Sequence, residues 1–198
     1  MMKIERLLKT TVEQQLNLGK AIVILGARQV GKSTLVKDIL KNKGNYLFLD
    51  GDDFSVQQQL EHPNTEFLKR LISDFSIIFI DEVQRIKNIG ITAKIITDQF
   101  PEVQLILSGS SAFELNNETG EALTGRKWEY QLYPVSMEEL QQTIGFLQAG
   151  QQLEQRIVYG MYPDVFNYAG KEKEVLNNLI NSYLYKDVLA LTGIKKPD

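Results

Sequence analysis

Cysteine is absent from this sequence of 198 residues. Its absence excludes a disulfide framework, thiolate metal ligands and a cysteine nucleophile. A chain without cysteine is typical of a reducing compartment, so we expect a cytoplasmic protein.

Long apolar runs and a strong net charge are also missing. The run Ala21–Leu25 is far shorter than the ~20 apolar residues that a membrane-spanning helix needs. Residues 1–18 mix charged and apolar side chains, so they lack the continuous apolar core of a secretory signal. The net charge of −3 gives no overall attraction for nucleic acid or for an acidic membrane. We therefore expect no membrane partner, and this segment does not support a nucleic-acid partner.

The composition that remains is that of a globular protein, with 43% hydrophobic and 24% charged residues. A chain of this length accommodates one sizeable core and a small appendage. After Pro134 the pattern becomes helical and is interrupted by glycines, with its longest helix predicted over residues 172–191. We therefore predict a core over residues 1–134 and a helical region over residues 135–198.

Short apolar runs alternate with helical patterns along the core. An amphipathic helix is predicted within residues 1–18, where Ile4, Leu7, Leu8, Val12 and Leu16 recur at helical spacing. Four strands are predicted over 21–25, 46–49, 77–80 and 103–107, a possible fifth over 127–132, and helices over 53–60, 64–73 and 89–99. This alternation predicts an α/β fold with three α/β/α layers and a five-stranded, mainly parallel sheet.

The turn after the first strand fits the phosphate-binding pattern G-x-x-x-x-G-K-[ST] at every fixed position. Glycines let the backbone wrap closely, so that its amides and the next helix N-terminus face phosphate groups. Lys32 would contact the β- and γ-phosphates, and Ser33 would bind Mg²⁺ through its hydroxyl. A chance glycine-rich turn is the alternative, and the flanking strand and helix argue against it. The predicted nucleotide-binding residues are Gly26, Ala27, Arg28, Gln29, Val30, Gly31, Lys32, Ser33 and Thr34.

Two adjacent carboxylates follow the third strand. Asp81 would hold the magnesium shell, and Glu82 would orient and deprotonate an attacking water. A solvated acidic turn is the alternative, but the spacing from Lys32 and the intervening strand favour the functional interpretation.

Two further features are candidates for the chemistry at a γ-phosphate. Ser108 or Ser110, after the fourth strand, could sense the γ-phosphate or hold the attacking water, although serines also cap the helix after a turn. Arg126 could act as an arginine finger, in its own subunit or across an interface, although a surface arginine is the simpler interpretation.

Together these motifs resemble a family of prokaryotic AAA-type ATPases of uncharacterised role. The resemblance rests on GARQVGKSTL at 26–35, FIDEVQ at 79–84, LSGSSA at 107–112 and LTGR at 123–126, followed by LYPVSMEEL at 132–140, GMYPDV at 160–165 and YLYKDV at 183–188. It implies a five-stranded ATPase core, ATP as the nucleotide, Asp81 and Glu82 as Walker B, and Arg126 within a signature loop.

The resemblance also bears on what lies beyond the core. Family members usually continue into a C-terminal domain with a winged-helix-like part, often followed by a nuclease-like segment. Residues 135–198 resemble the start of that domain, so we expect a fragment, in which nucleic-acid binding would belong to the missing part.

We therefore predict a Mg²⁺-dependent ATPase that couples hydrolysis to a conformational change or to assembly, as a homo-oligomer or with a protein partner. Two alternatives are a nucleotide-dependent switch with little intrinsic hydrolysis and a P-loop kinase. A kinase needs an arginine-rich lid, which the sequence lacks. A GTPase is disfavoured, because residues 42–45 lack the closing aspartate of the guanine-reading motif N-K-x-D.

Overall fold

A computed structural model describes residues 3–62, 64–110 and 122–181 of the chain. These residues form two compact units. The sheet unit is drawn from Leu8–Ala27 and Lys32–Leu132, and the helical unit from residues 3–7, 28–31 and 133–181.

The sheet unit contains five strands that pair only in parallel, in the order β2-β3-β4-β1-β5. Their bounds are β1 Ala21–Leu25, β2 Tyr46–Asp50, β3 Ile77–Asp81, β4 Gln104–Gly109 and β5 Lys127–Gln131. The predicted α/β fold with a five-stranded parallel sheet is therefore confirmed.

Helices flank this sheet and connect its strands. They are α1 Leu8–Gln15, α2 Lys32–Leu40, α3 Phe54–Glu61, α4 Thr65–Ile72 and α5 Ile89–Gln99, with a 3-10 turn over Val83–Arg85. Asp53 and Asn64 cap α3 and α4, because their side-chain oxygens accept hydrogen bonds from backbone amides of the first turn. The starts of these helices therefore follow from local chemistry.

The core lies on the three central strands, β3, β4 and β1. Every residue of these strands is buried, as expected for a parallel sheet with helices on both faces. Phe79, Ile24 and Ile80 are among the largest fully buried side chains, and each such side chain contributes about 1.5–3 kcal/mol by leaving water. This packing supports the strand ends, where the candidate site lies.

The helical unit contains five short helices around a small core of its own. They are α6 Met137–Ile144, α7 Phe146–Gln151, α8 Leu153–Tyr159, α9 Pro163–Asn167 and α10 Glu172–Leu179. Val135, Leu140 and Ala149 form the core, and Ile4 packs against it. Of the helix predicted over 172–191, residues 182–191 lie outside the described residues.

The N-terminal segment differs from the prediction. Helix α1 begins only at Leu8, and of the five residues predicted to form one apolar stripe only Val12 is buried. The amide of Leu7 donates instead to the Glu139 carboxylate, over 2.9 Å. This side-chain contact satisfies the backbone outside a helix, so Ile4 and Leu7 precede the helix rather than belonging to it.

No helix in the described part of the chain is both long and apolar enough to cross a bilayer.

Candidate functional site

The carboxyl edge of the sheet, where its parallel strands end, brings the predicted motifs together. Strand β4 lies between β1 and β3, with Leu25 paired to Gly109 and Ile80 paired to Leu107. The ends of these three strands are therefore level. Gly26 directly follows β1, Asp81 is the last residue of β3, and Ser110 directly follows β4. Parts of three motifs that are distant in sequence therefore lie at one edge of the sheet.

The predicted phosphate-binding turn is closed by the lysine at its end. Lys32 is the first residue of α2, and its ammonium donates to the carbonyl oxygens of Gly26 at 2.9 Å and Ala27 at 3.1 Å. Its side chain is buried at 4% exposure. This arrangement places a positive charge at the N-terminus of α2, where the helix dipole also favours an anion.

Left-handed backbone conformations shape the same turn. Gln29 has φ +61° and Gly31 has φ +98°. An L-residue with a side chain rarely adopts the value at Gly31, which accounts for glycine there. Ser33 and Thr34 lie in the first turn of α2, with Ser33 partly exposed and Thr34 exposed.

The acid at the end of β3 is held by two donors. Oδ1 of Asp81 accepts a hydrogen bond from the Ser108 hydroxyl. The same oxygen accepts from the backbone amide of Glu82 at 3.0 Å. Asp81 is buried at 6% exposure, and Ser108 is fully buried. Ser108 thus orients the Asp81 carboxylate in this structure, a contact that the sequence-based prediction did not include.

Glu82 and Ser110 are linked through Gln84, a residue that sequence reasoning did not single out. The Gln84 side-chain amide donates to the Glu82 carboxylate, and its Oε1 accepts from the Ser110 amide at 3.1 Å. The backbone of Glu82 adopts a left-handed conformation, with φ +49°. The bridge forms because the turn over Val83–Arg85 directs Gln84 toward Glu82 and Ser110. This turn has no distinctive sequence pattern, so the only sequence signal for Gln84 was its place at the end of the FIDEVQ motif.

Gly51 is the second residue that sequence reasoning missed. Its amide donates to the Asp81 carbonyl oxygen at 2.9 Å. A Cβ atom at this position would lie 2.5 Å from the Glu82 carbonyl oxygen and 2.7 Å from that of Asp81. Glycine therefore lets the chain after β2 pack directly on the Asp81–Glu82 backbone.

Arg126 lies at the opposite edge of the sheet. Its carbonyl oxygen accepts from the amide of Ala21, where β1 begins, and its Nε pairs with Asp98 Oδ1 at 2.5 Å. The length of β1, about 16 Å at ~3.3 Å per residue, separates this point from the phosphate-binding turn. An arginine finger on the nucleotide of the same chain therefore does not fit this structure, whereas a role across an interface stays a prediction.

The side chains at the carboxyl edge suit a magnesium–phosphate complex. Ser33 and Asp81 offer a hydroxyl and a carboxylate, the hard oxygen ligands that Mg²⁺ prefers when phosphates and water complete its shell. Within residues 3–62, 64–110 and 122–181, no group of three or more His, Cys, Asp or Glu residues could hold a metal. The residues thus fit an ion that arrives with phosphates rather than one enclosed by protein ligands alone.

Comparison with known proteins shows which proteins this chain is similar to. A family model described as an AAA domain matches residues 18–141. An uncharacterized protein of Haemophilus influenzae is 27% identical over 195 residues, which cover 87% of this chain and 47% of the relative. An uncharacterized protein of Methanocaldococcus jannaschii is 22% identical over 207 residues, which cover 96% of this chain and 46% of the relative. The chain thus spans about half the length of the curated relatives that it matches.

Among solved structures, the Walker-type ATPase of Pyrococcus abyssi is similar to this chain, with a TM-score of 0.61 and 18% identity. The similarity covers 99% of this chain and 86% of that structure. At this level of identity the similarity shows the fold.

Proposed function

Because the chain belongs to the AAA domain family, we propose that it binds ATP with Mg²⁺ at the carboxyl edge of β1, β3 and β4 and hydrolyses it. The family and the fold support a nucleotide-binding ATPase. The observation that carries the proposal is the shared edge on which Lys32 and the Asp81–Ser108 pair lie.

Binding is assigned to residues 26–34. The backbone amides of the turn and of the first turn of α2 donate to the phosphate oxygens. Lys32 supplies its charge to the β- and γ-phosphates, while Ser33 and Asp81 hold the ion. When bound, Mg²⁺ would supply positive charge that offsets the negative charge of the phosphates.

Hydrolysis is assigned to Glu82, helped by its neighbours. Glu82 accepts the proton of the water that attacks the γ-phosphorus, as the bond to the β–γ bridging oxygen breaks. Gln84 orients the Glu82 carboxylate and holds the amide of Ser110, whose hydroxyl is the proposed sensor of the γ-phosphate. Ser108 acts by orienting Asp81.

ATP hydrolysis is proposed to drive a conformational change or assembly, with a second copy of the chain or another protein as partner. In this proposal residues 1–134 are the ATPase core, and residues 135–198 respond to the nucleotide and belong to a C-terminal domain. A nucleic-acid partner would require parts outside this sequence.

One observation favours a second function, a nucleotide-dependent switch with little hydrolysis of its own. The Glu82 carboxylate accepts a hydrogen bond from Gln84, which occupies an acceptor site that a catalytic water would otherwise use. In that case a partner would release Glu82 and start turnover.

Nucleotide titration tests the binding step. We expect ATP to bind more tightly with Mg²⁺ than without it, because Ser33 and Asp81 would hold the ion beside the phosphates. We expect ATP to bind more tightly than GTP, because residues 42–45 lack the closing aspartate of the guanine-reading motif. Lys32→Ala should weaken ATP binding at least about 10-fold, since it removes a charged donor to phosphate. Calorimetry would give these affinities, and Lys41→Ala, which removes an exposed lysine just after α2, is the matched control. Preference for GTP, or unchanged affinity in Lys32→Ala, would contradict the nucleotide assignment.

Replacing Gln84 with methionine tests the bridge between Glu82 and Ser110. Methionine has a similar size but neither donates to Glu82 nor accepts well from the Ser110 amide. We expect steady-state turnover to change about 10-fold, which corresponds to about 1.4 kcal/mol in the activation barrier. ATP affinity should stay within about threefold, because Gln84 contacts Glu82 and Ser110 rather than the residues assigned to binding. A decrease supports the positioning role, and an increase supports the switch. Gln99→Met, at an exposed position on α5, should leave turnover unchanged.

A further inference from the structure

Arg6 lies just before α1, and each nitrogen of its guanidinium group has an acceptor. Its Nε pairs with Glu139 Oε1 at 3.1 Å, and its Nη1 donates to the carbonyl oxygen of Val30 at 2.8 Å. Its Nη2 donates to the carbonyl oxygen of Tyr133. Three acceptors from separate parts of the chain thus fix the plane of the guanidinium group.

Glu139 is fixed as firmly as its partner. Its Oε1 also accepts from the amide of Leu7 at 2.9 Å, and its Oε2 accepts from the amide of Ser136 at 2.8 Å. The Ser136 hydroxyl completes a capping box at the start of α6. The two charged side chains are only 10% and 6% exposed. A pair this well buried and hydrogen-bonded holds one geometry, because losing any partner would leave a buried polar group unsatisfied.

An attachment of the N-terminal segment to α6 would need only the Arg6–Glu139 pair. The bond from Nη1 to Val30 is additional, and Val30 lies in the phosphate-binding turn itself. In a trans peptide the carbonyl and the following amide point in opposite directions. Holding the Val30 carbonyl toward Arg6 therefore turns the Gly31 amide away from Arg6.

We propose that Arg6 is a positioning residue for the phosphate-binding turn. By holding the Val30 carbonyl, Arg6 fixes the Gly31 amide in the direction of a bound phosphate. The inference rests on the proposed ATP-binding function. Gly31, with φ +98°, has no side chain to limit the rotation of this peptide, so an outside contact has to set its direction. Arg6 provides that contact without touching the nucleotide.

The variant Arg6→Met tests the proposal, because methionine keeps much of the apolar stem and removes all the donors. We expect ATP with Mg²⁺ to bind about 10-fold more weakly, as measured by calorimetry at a temperature where circular dichroism shows the variant fully folded. A purely structural role would lower the melting temperature of the nucleotide-free protein and leave the ATP affinity of the folded protein unchanged.

Two further variants make the result decisive. Lys9→Met breaks another partly buried ion pair in the same part of the chain, Lys9–Asp38, whose side chains are 24% and 21% exposed, and it should leave ATP affinity within about twofold. If Arg6→Met does not fold, Arg6→Lys is measured instead, and a loss of at least about threefold is expected because one ammonium group cannot serve the three acceptors. Wild-type affinity in a folded Arg6 variant would overturn the proposal. Failure of the wild-type protein itself to bind ATP would instead remove the proposed function.

Discussion

Replacing Glu82 with glutamine is expected to lower ATP turnover by about 100-fold or more, while ATP affinity stays within about threefold. Glutamine has nearly the same shape as glutamate but accepts no proton from water. Positioned general bases contribute about 10²–10⁴-fold to such reactions, so the effect should lie in the turnover number rather than in binding. Phosphate release under saturating ATP, together with a calorimetric titration, separates the two quantities.

The matched control for Glu82→Gln is Glu66→Gln. Glu66 forms an exposed i,i+4 ion pair with Arg70 on α4, where both side chains are 84% exposed, and such pairs contribute little to stability. Turnover in Glu66→Gln should equal that of the wild type. Glu82→Gln turnover within about threefold of the wild type would rule out Glu82 as the base. Wild-type turnover that is already at background, with ATP bound, would favour the switch.

Gly51→Ala is expected to destabilise the protein by at least about 2 kcal/mol. The added Cβ would meet the Glu82 carbonyl oxygen at 2.5 Å and the Asp81 carbonyl oxygen at 2.7 Å. Both are backbone atoms, so no side-chain rotation can relieve the overlap. The melting temperature, followed by circular dichroism, should fall by at least about 4 °C for a chain of this size.

Gly150→Ala is the matched control for this substitution. Gly150 lies inside α7, and a Cβ atom there would meet nothing within 4 Å. Alanine should be neutral or stabilising by about 0.5–1 kcal/mol, because glycine in a helix costs more conformational entropy than alanine. An equal melting temperature for Gly51→Ala and the wild type would show that the chain at Gly51 is not packed on the Asp81–Glu82 backbone.

Much of the fold could be predicted from short stretches of sequence. The apolar runs of β1 and β3 stand out because both faces of a central parallel strand are buried, which leaves no polar alternation to confuse the pattern. Helix α5 was predicted over 89–99, and the structure has Ile89–Gln99. The predicted N-terminal helix includes residues before Leu8, where α1 begins. The difference arises because the distant Glu139 carboxylate accepts from the amide of Leu7, which therefore needs no helical partner.

The candidate site was only partly predictable. Lys32 and Asp81 belong to motifs whose spacing reflects local geometry, so the sequence indicates them directly. The roles of Gln84 and Gly51 depend on partners at the ends of neighbouring strands, Ser110 for Gln84 and the Asp81 backbone for Gly51. The FIDEVQ motif marks position 84 but does not show its partner. Arg126 is the opposite case. Its motif-like sequence context predicted a contact with the nucleotide, whereas the pairing of β1 with β5 places it at the other edge of the sheet.

The sequence by itself determined most of the strands and helices of the sheet unit, the caps of α3 and α4, and the motif predicted to bind phosphate, because these depend on neighbours within a few positions. Only the tertiary structure decided the strand order that inserts β4 between β1 and β3. It also decided the bond from Ser108 to Asp81 and the three acceptors of Arg6. These contacts join residues far apart in the chain, and their geometry is set by how the buried strands and helices pack rather than by any local preference.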